Sequence, residues 1–148
     1  MVKIVPYKAD HAYQVLDKNV KDFDLQLSKL KDWESWTKEW ETAGPSYSLF
    51  VDDKIIGCGG VILFGYNRGE CWMLVSSEIK KYKKTVFKAV KEHLDLIVKT
   101  NNLRRLQTVV VADYEDGKKF IERLGFKPEG LLKKYGPNGE DFLMYART

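Results

Sequence analysis

Only two cysteines, two histidines and four prolines occur among the 148 residues. Cys58 and Cys71 cannot furnish the four ligands of a structural zinc, and adding His11 and His93 would require long-range coincidence, so no metal site is expected. Counting outward from a turn at 66–69 sets Leu63 or Phe64 opposite Cys71 and leaves Cys58 several residues away, so a disulfide is not expected. No apolar run approaches the roughly 18 residues of a membrane span, and residues 1–10 lack an apolar segment of signal-peptide length. A soluble, cytoplasmic chain is the resulting expectation. Charge of one sign is scarce too: 25 basic against 21 acidic side chains leave +4, which suits a polyanionic ligand but falls short of a dedicated nucleic-acid binder. Repeats, linkers and low-complexity segments are absent.

What is present is the make-up of one globular domain spanning residues 1–148, with 44% hydrophobic, 31% charged and 13% aromatic residues. Residues 2–7 alternate as a strand. Residues 11–20 read as a helix, and Leu27, Leu30, Trp33, Trp36 or Thr37, and Trp40 recur at helical spacing until Ala43-Gly44-Pro45. Those tryptophans are either a helix face packed on a sheet or an aromatic ligand platform. Three antiparallel strands follow at 47–51, 55–64 and 70–75, joined by turns at 52–54 and 66–69. Gly57, Gly59 and Gly60 in the middle strand mark a bulge or a close approach to its backbone.

Residues 76–100 carry Val86, Val90, Leu94 and Ile97 on one helical face, with Lys84, Lys88, Lys91, Asp95 and Lys99 opposite. The run Val109-Val110-Val111 within 103–112 reads as a central strand covered on both faces. A short helix then starts with Asp113 and Asp116 in a capping arrangement and ends at Gly125. The chain closes on a hairpin of strands 126–135 and 141–147, in which Asn138-Gly139 supplies positive-φ positions. The order strand, two helices, three strands, helix, strand, helix, two strands implies an α/β domain: one mixed, mostly antiparallel sheet with helices on both faces.

This order, the segment Gly69–Lys84 (GECWMLVSSEIKKYKK) and the tail with Leu124-Gly125-Phe126, Glu129-Gly130, Tyr135 and Tyr145-Ala146-Arg147 resemble the GNAT superfamily of acyl-CoA-dependent N-acyltransferases along nearly the whole chain. The resemblance implies transfer of an acetyl group from acetyl-CoA to an amine. It implies that the end of the fourth strand, Leu74 and Val75, and the following segment hold the coenzyme. There the family's glycine-rich pyrophosphate loop is replaced by 78–85, which has no glycine but carries Lys80, Lys81, Lys83 and Lys84. Side-chain charge stands where backbone amides usually approach the phosphates. Read from the residues alone, these lysines are a solvated face, a phosphate site or, with Arg104 and Arg105, a contact to a nucleic-acid backbone.

The resemblance places Glu70 where a general base often stands. It places Ile121 where a tyrosine commonly protonates the leaving thiolate, and Tyr114 where asparagine is frequent, leaving Tyr82 or Tyr135 to approach as acid. Glu70 and Tyr135 are therefore the candidate catalytic pair. His11 and His93 are expected on helix surfaces or at partial core positions. Cys71-Trp72 running into Ser76-Ser77 and a lysine-rich helix is also similar to GNAT-like proteins of tailed phages, including small internal virion proteins. That implies an alternative, a non-catalytic module that binds a protein partner in the virion or host cytoplasm.

Overall fold

The computed structural model describes residues 1–16 and 33–148. Residues 17–20 of the first expected helix, together with Leu27, Leu30 and the side chain of Trp33, lie outside the described residues. The elements are β1 (Val2–Pro6), α1 (described over Ala9–Leu16), α2 (Trp33–Glu39), β2 (Ser46–Val51), β3 (Lys54–Leu63), β4 (Arg68–Val75), a 3₁₀ turn (Ser77–Tyr82), α3 (Lys83–Thr100), β5 (Arg105–Val111), α4 (Glu115–Arg123), β6 (Lys127–Leu132) and β7 (Phe142–Arg147). The strands form one seven-stranded sheet in the order β1-β2-β3-β4-β5-β7-β6. Every neighbouring pair is antiparallel except β4–β5.

Alternation along β4 separates two cores. Trp72 and Leu74 face α1 and α2, packing with Tyr7, Ala12, Val15 and Trp40, whereas Cys71 and Met73 face α3 and α4. Of the two candidates for the inward position on α2, Thr37 is fully buried and Trp36 is exposed. The Thr37 carbonyl accepts a hydrogen bond from the Tyr7 hydroxyl at 2.8 Å. Trp40 stacks on Trp72, with centroids 4.1 Å apart and planes at 18°. On the other face Leu94 and Ile97 of α3 pack with Val61, Leu106, Val110, Phe126 and Tyr145, and Val86 packs with Leu49, Val51 and Ile56.

Several expectations are corrected. The β3–β4 turn is centred on Gly65, Tyr66 and Asn67, all with positive φ, so β4 starts at Arg68 and Cys71 pairs with Val61, not with Leu63 or Phe64. Gly69 is a strand residue, and a Cβ there would stand 2.5 Å from the Val61 side chain. No disulfide joins Cys58 to Cys71, and Cys58 pairs with Leu74 across the β3–β4 ladder. The helix expected from 76 begins as a 3₁₀ turn because the Ser76 hydroxyl accepts from the Glu78 amide and the Ile79 amide donates to the Ser76 carbonyl, an i→i+3 bond. Tyr114, not Asp113, occupies the cap position of α4, with no side-chain cap bond. In the last hairpin the positive φ falls at Gly139 and Lys134, not at Asn138.

The two faces of the valine run are not equally covered. Leu106, Thr108 and Val110 are buried beneath α3 and α4, whereas Gln107, Val109 and Val111 on the α1 side are half-buried.

Of the two readings of the β3 glycines, the close approach is found at Gly60, and the bulge lies just before Gly57. Register shifts between Leu49 and Phe50, which makes Ile56 the extra residue of a bulge, and Ile55 and Ile56 enter opposite cores. A Cβ on Gly60 would lie 2.5 Å from the Pro45 carbonyl oxygen, a backbone atom that cannot move aside cheaply. Gly60→Ala is therefore expected to destabilise the fold by about 1–3 kcal/mol. The denaturant midpoint reads this out, and an unchanged midpoint would contradict the close approach.

Candidate functional site

β4 and β5 run parallel but pair over only three positions, Arg68–Arg105, Gly69–Leu106 and Glu70–Gln107. Beyond them each strand is held by its other neighbour: β4 follows β3 to the Val75–Gly57 pair, and β5 follows β7 to the Val111–Phe142 pair. The sheet therefore opens into a wedge with its vertex at Glu70 and Gln107. The first position inside it is bridged by a side chain, the Thr108 hydroxyl donating to the Cys71 carbonyl at 3.2 Å. Peptide groups alternate along a strand. The carbonyls of Trp72 and Leu74 point to β3, where each lies 2.8 Å from the place a Cβ would take on Gly59 or Gly57. Cys71 and Met73 therefore turn their peptide groups toward β5, and the Met73 N–H and C=O face the wedge.

At the vertex, on the α1 side, a chain of polar groups runs across the two strands. Gln107 Nε2 donates to Glu70 Oε1 at 2.9 Å, Arg105 Nε donates to Gln107 Oε1 at 3.0 Å, and the Arg105 guanidinium grips Glu129 of β6 with two bonds of 3.2 and 2.6 Å. That bidentate pair holds the Glu129 carboxyl below the ordinary carboxylate range and raises the Arg105 guanidinium. Gln107 is thereby fixed in one amide orientation, with its NH₂ toward Glu70. The remaining oxygen, Glu70 Oε2, has no hydrogen-bond partner among the described residues, and Trp72 stands two residues further along the same face.

Tyr135 is not brought beside Glu70. It lies in the β6–β7 loop, 55% exposed, with its ring 5.3 Å from Phe142. Phe142 pairs with Val111, four residues beyond Gln107 and so about 13 Å along the strand. Ile121 packs in the apolar core on the opposite face. Cys71 is no nucleophile, because burial pushes its thiol up to about 12 and keeps it protonated at neutral pH. His11 is partly buried, its Nδ1 accepting from the Lys8 amide at 3.1 Å, and burial lowers its pKa. His93 Nδ1 lies 2.8 Å from the Ala89 carbonyl.

The wide end of the wedge carries the lysine segment. Leu74 and Val75 are buried at the end of β4, and Leu74 pairs with Cys58 on the side away from the opening. Lys80, Lys81, Lys83 and Lys84 are all exposed. Lys81 pairs with Glu78 at 3.1 Å, while Lys80, Lys83 and Lys84 have no ion-pair partner among the described residues. The first turn of α3 holds no acidic residue. Lysines at that end oppose the helix dipole, an arrangement costing about 0.3–1 kcal/mol each that an anion would reverse.

Between α3 and the sheet lies an apolar cavity of about 140 Å³. It reaches Cys71, Met73 and Thr108 at the wedge, Ala89 and His93 on α3, and Ile4 as far away as β1. Met73, Gln107 and Thr108 went unrecognised in the sequence. They carry no motif there, and only the strand register reveals them.

No protein-family model matches the sequence, and no curated protein matches it. Solved structures do match. The ribosomal-protein-S18-alanine N-acetyltransferase from Escherichia coli superposes with a TM-score of 0.77 at 16% identity, covering 99% of this chain and 93% of that one. An acetyltransferase of the GNAT family from Streptococcus pneumoniae gives 0.72 at 13% identity, covering 99% and 98%. A ribosomal L7/L12 α-N-protein acetyltransferase in complex with coenzyme A gives 0.75 at 13% identity, covering 99% and 93%. Agreement at such low identity lies in the backbone: this chain has the fold of the GNAT N-acetyltransferases, a single α/β domain whose mixed sheet splits between its two parallel strands.

Proposed function

We propose that this protein is an acyl-CoA-dependent N-acyltransferase, transferring an acyl group, acetyl in the simplest case, to an amine. The observation that carries the reading is the wedge, which places a backbone N–H, a carboxylate and a cluster of cations along one opening. Lys80, Lys83 and Lys84 hold the pyrophosphate by charge, since the amides of Glu78 and Ile79 are already engaged with Ser76. The acyl-CoA supplies an activated thioester. The Met73 N–H, facing the wedge, stabilises the developing negative charge on the thioester oxygen. Glu70, oriented through Oε1 by Gln107, takes the amine proton on Oε2. The acceptors for which similar structures are named, an alanine N-terminus and spermidine, make natural first substrates to try.

Acetyl-CoA at a hundred times its dissociation constant should stabilise the fold by roughly 2.7 kcal/mol. Calorimetry and thermal shift at millimolar acetyl-CoA measure this, and absence of any binding favours the non-catalytic module instead. Replacing Lys80, Lys83 and Lys84 together by Ala is expected to weaken binding about tenfold or more and to flatten its salt dependence. Glu70→Gln keeps the acceptor geometry toward Gln107 but removes the base. Turnover with an alanine-terminated peptide or spermidine should drop about a hundredfold while acetyl-CoA affinity stays within about threefold. Tyr135→Phe is expected to change turnover less than about twofold, because a free thiol with an ordinary pKa of about 8.5 leaves without an acid at neutral pH. A loss above about tenfold would assign the acid role to Tyr135.

A further inference from the structure

Resting on that reading, we infer that the acyl donor carries a chain of about six carbons whose tail lies in the cavity beneath α3. Four observations carry this. The cavity begins at the wedge: Cys71 and Met73 of β4 and Thr108 of β5, which line it, flank the first positions past the Glu70–Gln107 vertex. It then runs away from the wedge, beneath α3 and across β3 and β2 to Ile4 on β1. That is three strand spacings, or about 14 Å, from β4. A pantetheine arm entering from the lysine end does not need that side branch.

The cavity's origin is equally specific. Gly57 and Gly59 leave the sheet face under α3 without two side chains, and Ala89 of α3 and Thr108 of β5 add further small groups to the lining. Where larger side chains line this face, as at Val86, Leu94 and Phe120, they form its walls. The lining is almost wholly apolar, and buried Cys71 stays a neutral thiol. At about 140 Å³ its volume is that of an apolar cavity that accepts a six-carbon ligand such as benzene. An acetyl group leaves it empty.

The transfer remains balanced with the longer chain. The carbonyl carbon at the Met73 N–H loses its bond to sulfur and gains one to the amine nitrogen. The amine proton passes to Glu70, and coenzyme A leaves as the thiolate. The tail takes no part beyond holding the carbonyl in place.

The test compares coenzyme A, acetyl-CoA, butyryl-CoA and hexanoyl-CoA by titration calorimetry on the unaltered protein and on Ala89→Leu, which fills the cavity from α3. Hexanoyl-CoA is expected to bind at least about tenfold more tightly than acetyl-CoA, given the gain per buried methylene. In Ala89→Leu that ratio should fall to about one while the melting temperature holds or rises. Equal affinity for acetyl-CoA and hexanoyl-CoA on the unaltered protein overturns the inference but leaves the acyltransferase reading standing. Equal weakening of coenzyme A and hexanoyl-CoA by Ala89→Leu assigns the cavity to the pantetheine arm and also overturns it. If none of the four binds, both readings fall together. Should Ala89→Leu not fold, the chain-length ratio of the unaltered protein decides alone.

Discussion

The architecture turns on one short parallel pairing. β4 and β5 share three positions and no more, and those three hold two antiparallel units together: β1 to β4 on one side, β5, β7 and β6 on the other. Parallel neighbours cannot be joined by a tight turn, so the chain must leave β4, cross one face as the 3₁₀ turn and α3, and return. Beyond Glu70, β4 stays paired with β3 and β5 with β7, and the sheet opens. A backbone polar group left without a partner there costs about 1–3 kcal/mol if it is also dry. Thr108 satisfies one such group through its hydroxyl. The peptide of Met73 is the next in line, and in the proposed reaction the amides of the acyl-CoA would stand there in place of a missing strand.

The vertex has to stay closed for the mouth to stay open. The Glu129–Arg105–Gln107–Glu70 chain crosses from β6 to β4 over the α1 side of the sheet and ties both units together where they meet. The Arg147 side chain plays a similar part on the other face, bonding Asp95 of α3 and the Leu124 carbonyl at the end of α4. Asp95 is held below its ordinary carboxylate range by Arg147 and Lys91. Its contribution is therefore complete above that range and is lost as pH falls through the lowered value. These ties make the opening a fixed feature of the backbone.

Much of this was legible in the sequence and some was not, for identifiable reasons. The hydrophobic spacing of 86, 90, 94 and 97 announces α3, and the fold follows from element order because few topologies accommodate it. Register was not legible. A turn read at 66–69 instead of 64–67 moves the partner of Cys71 from Val61 to Leu63 or Phe64, and at period two such errors also confuse which peptide groups face the wedge. Met73 therefore escaped notice while Leu74 and Val75 drew it. Glu70 drew attention by position, yet Gln107, which bonds its carboxylate, lies 37 residues away in sequence and carries no signature. The cavity escaped for the opposite reason: it is made by side chains that are absent at Gly57 and Gly59, and a glycine in a strand announces a close approach more readily than a void.

The lysines and the glycines complete each other in this respect. A glycine-rich loop grips a pyrophosphate by close, directional amide bonds, and it demands backbone conformations that lysine does not favour. Here Gly57 and Gly59 of β3 shape the floor beneath α3, and the segment before α3 is a capped 3₁₀ turn whose first amides are consumed by Ser76. In the proposed function, point charges on long stems do the holding instead. Such charges are strongly hydrated, screened by salt and tolerant of position, so they attract a phosphate without fixing its orientation. On that reading precision comes from elsewhere along the ligand, from the Met73 peptide at the wedge and the apolar walls behind it.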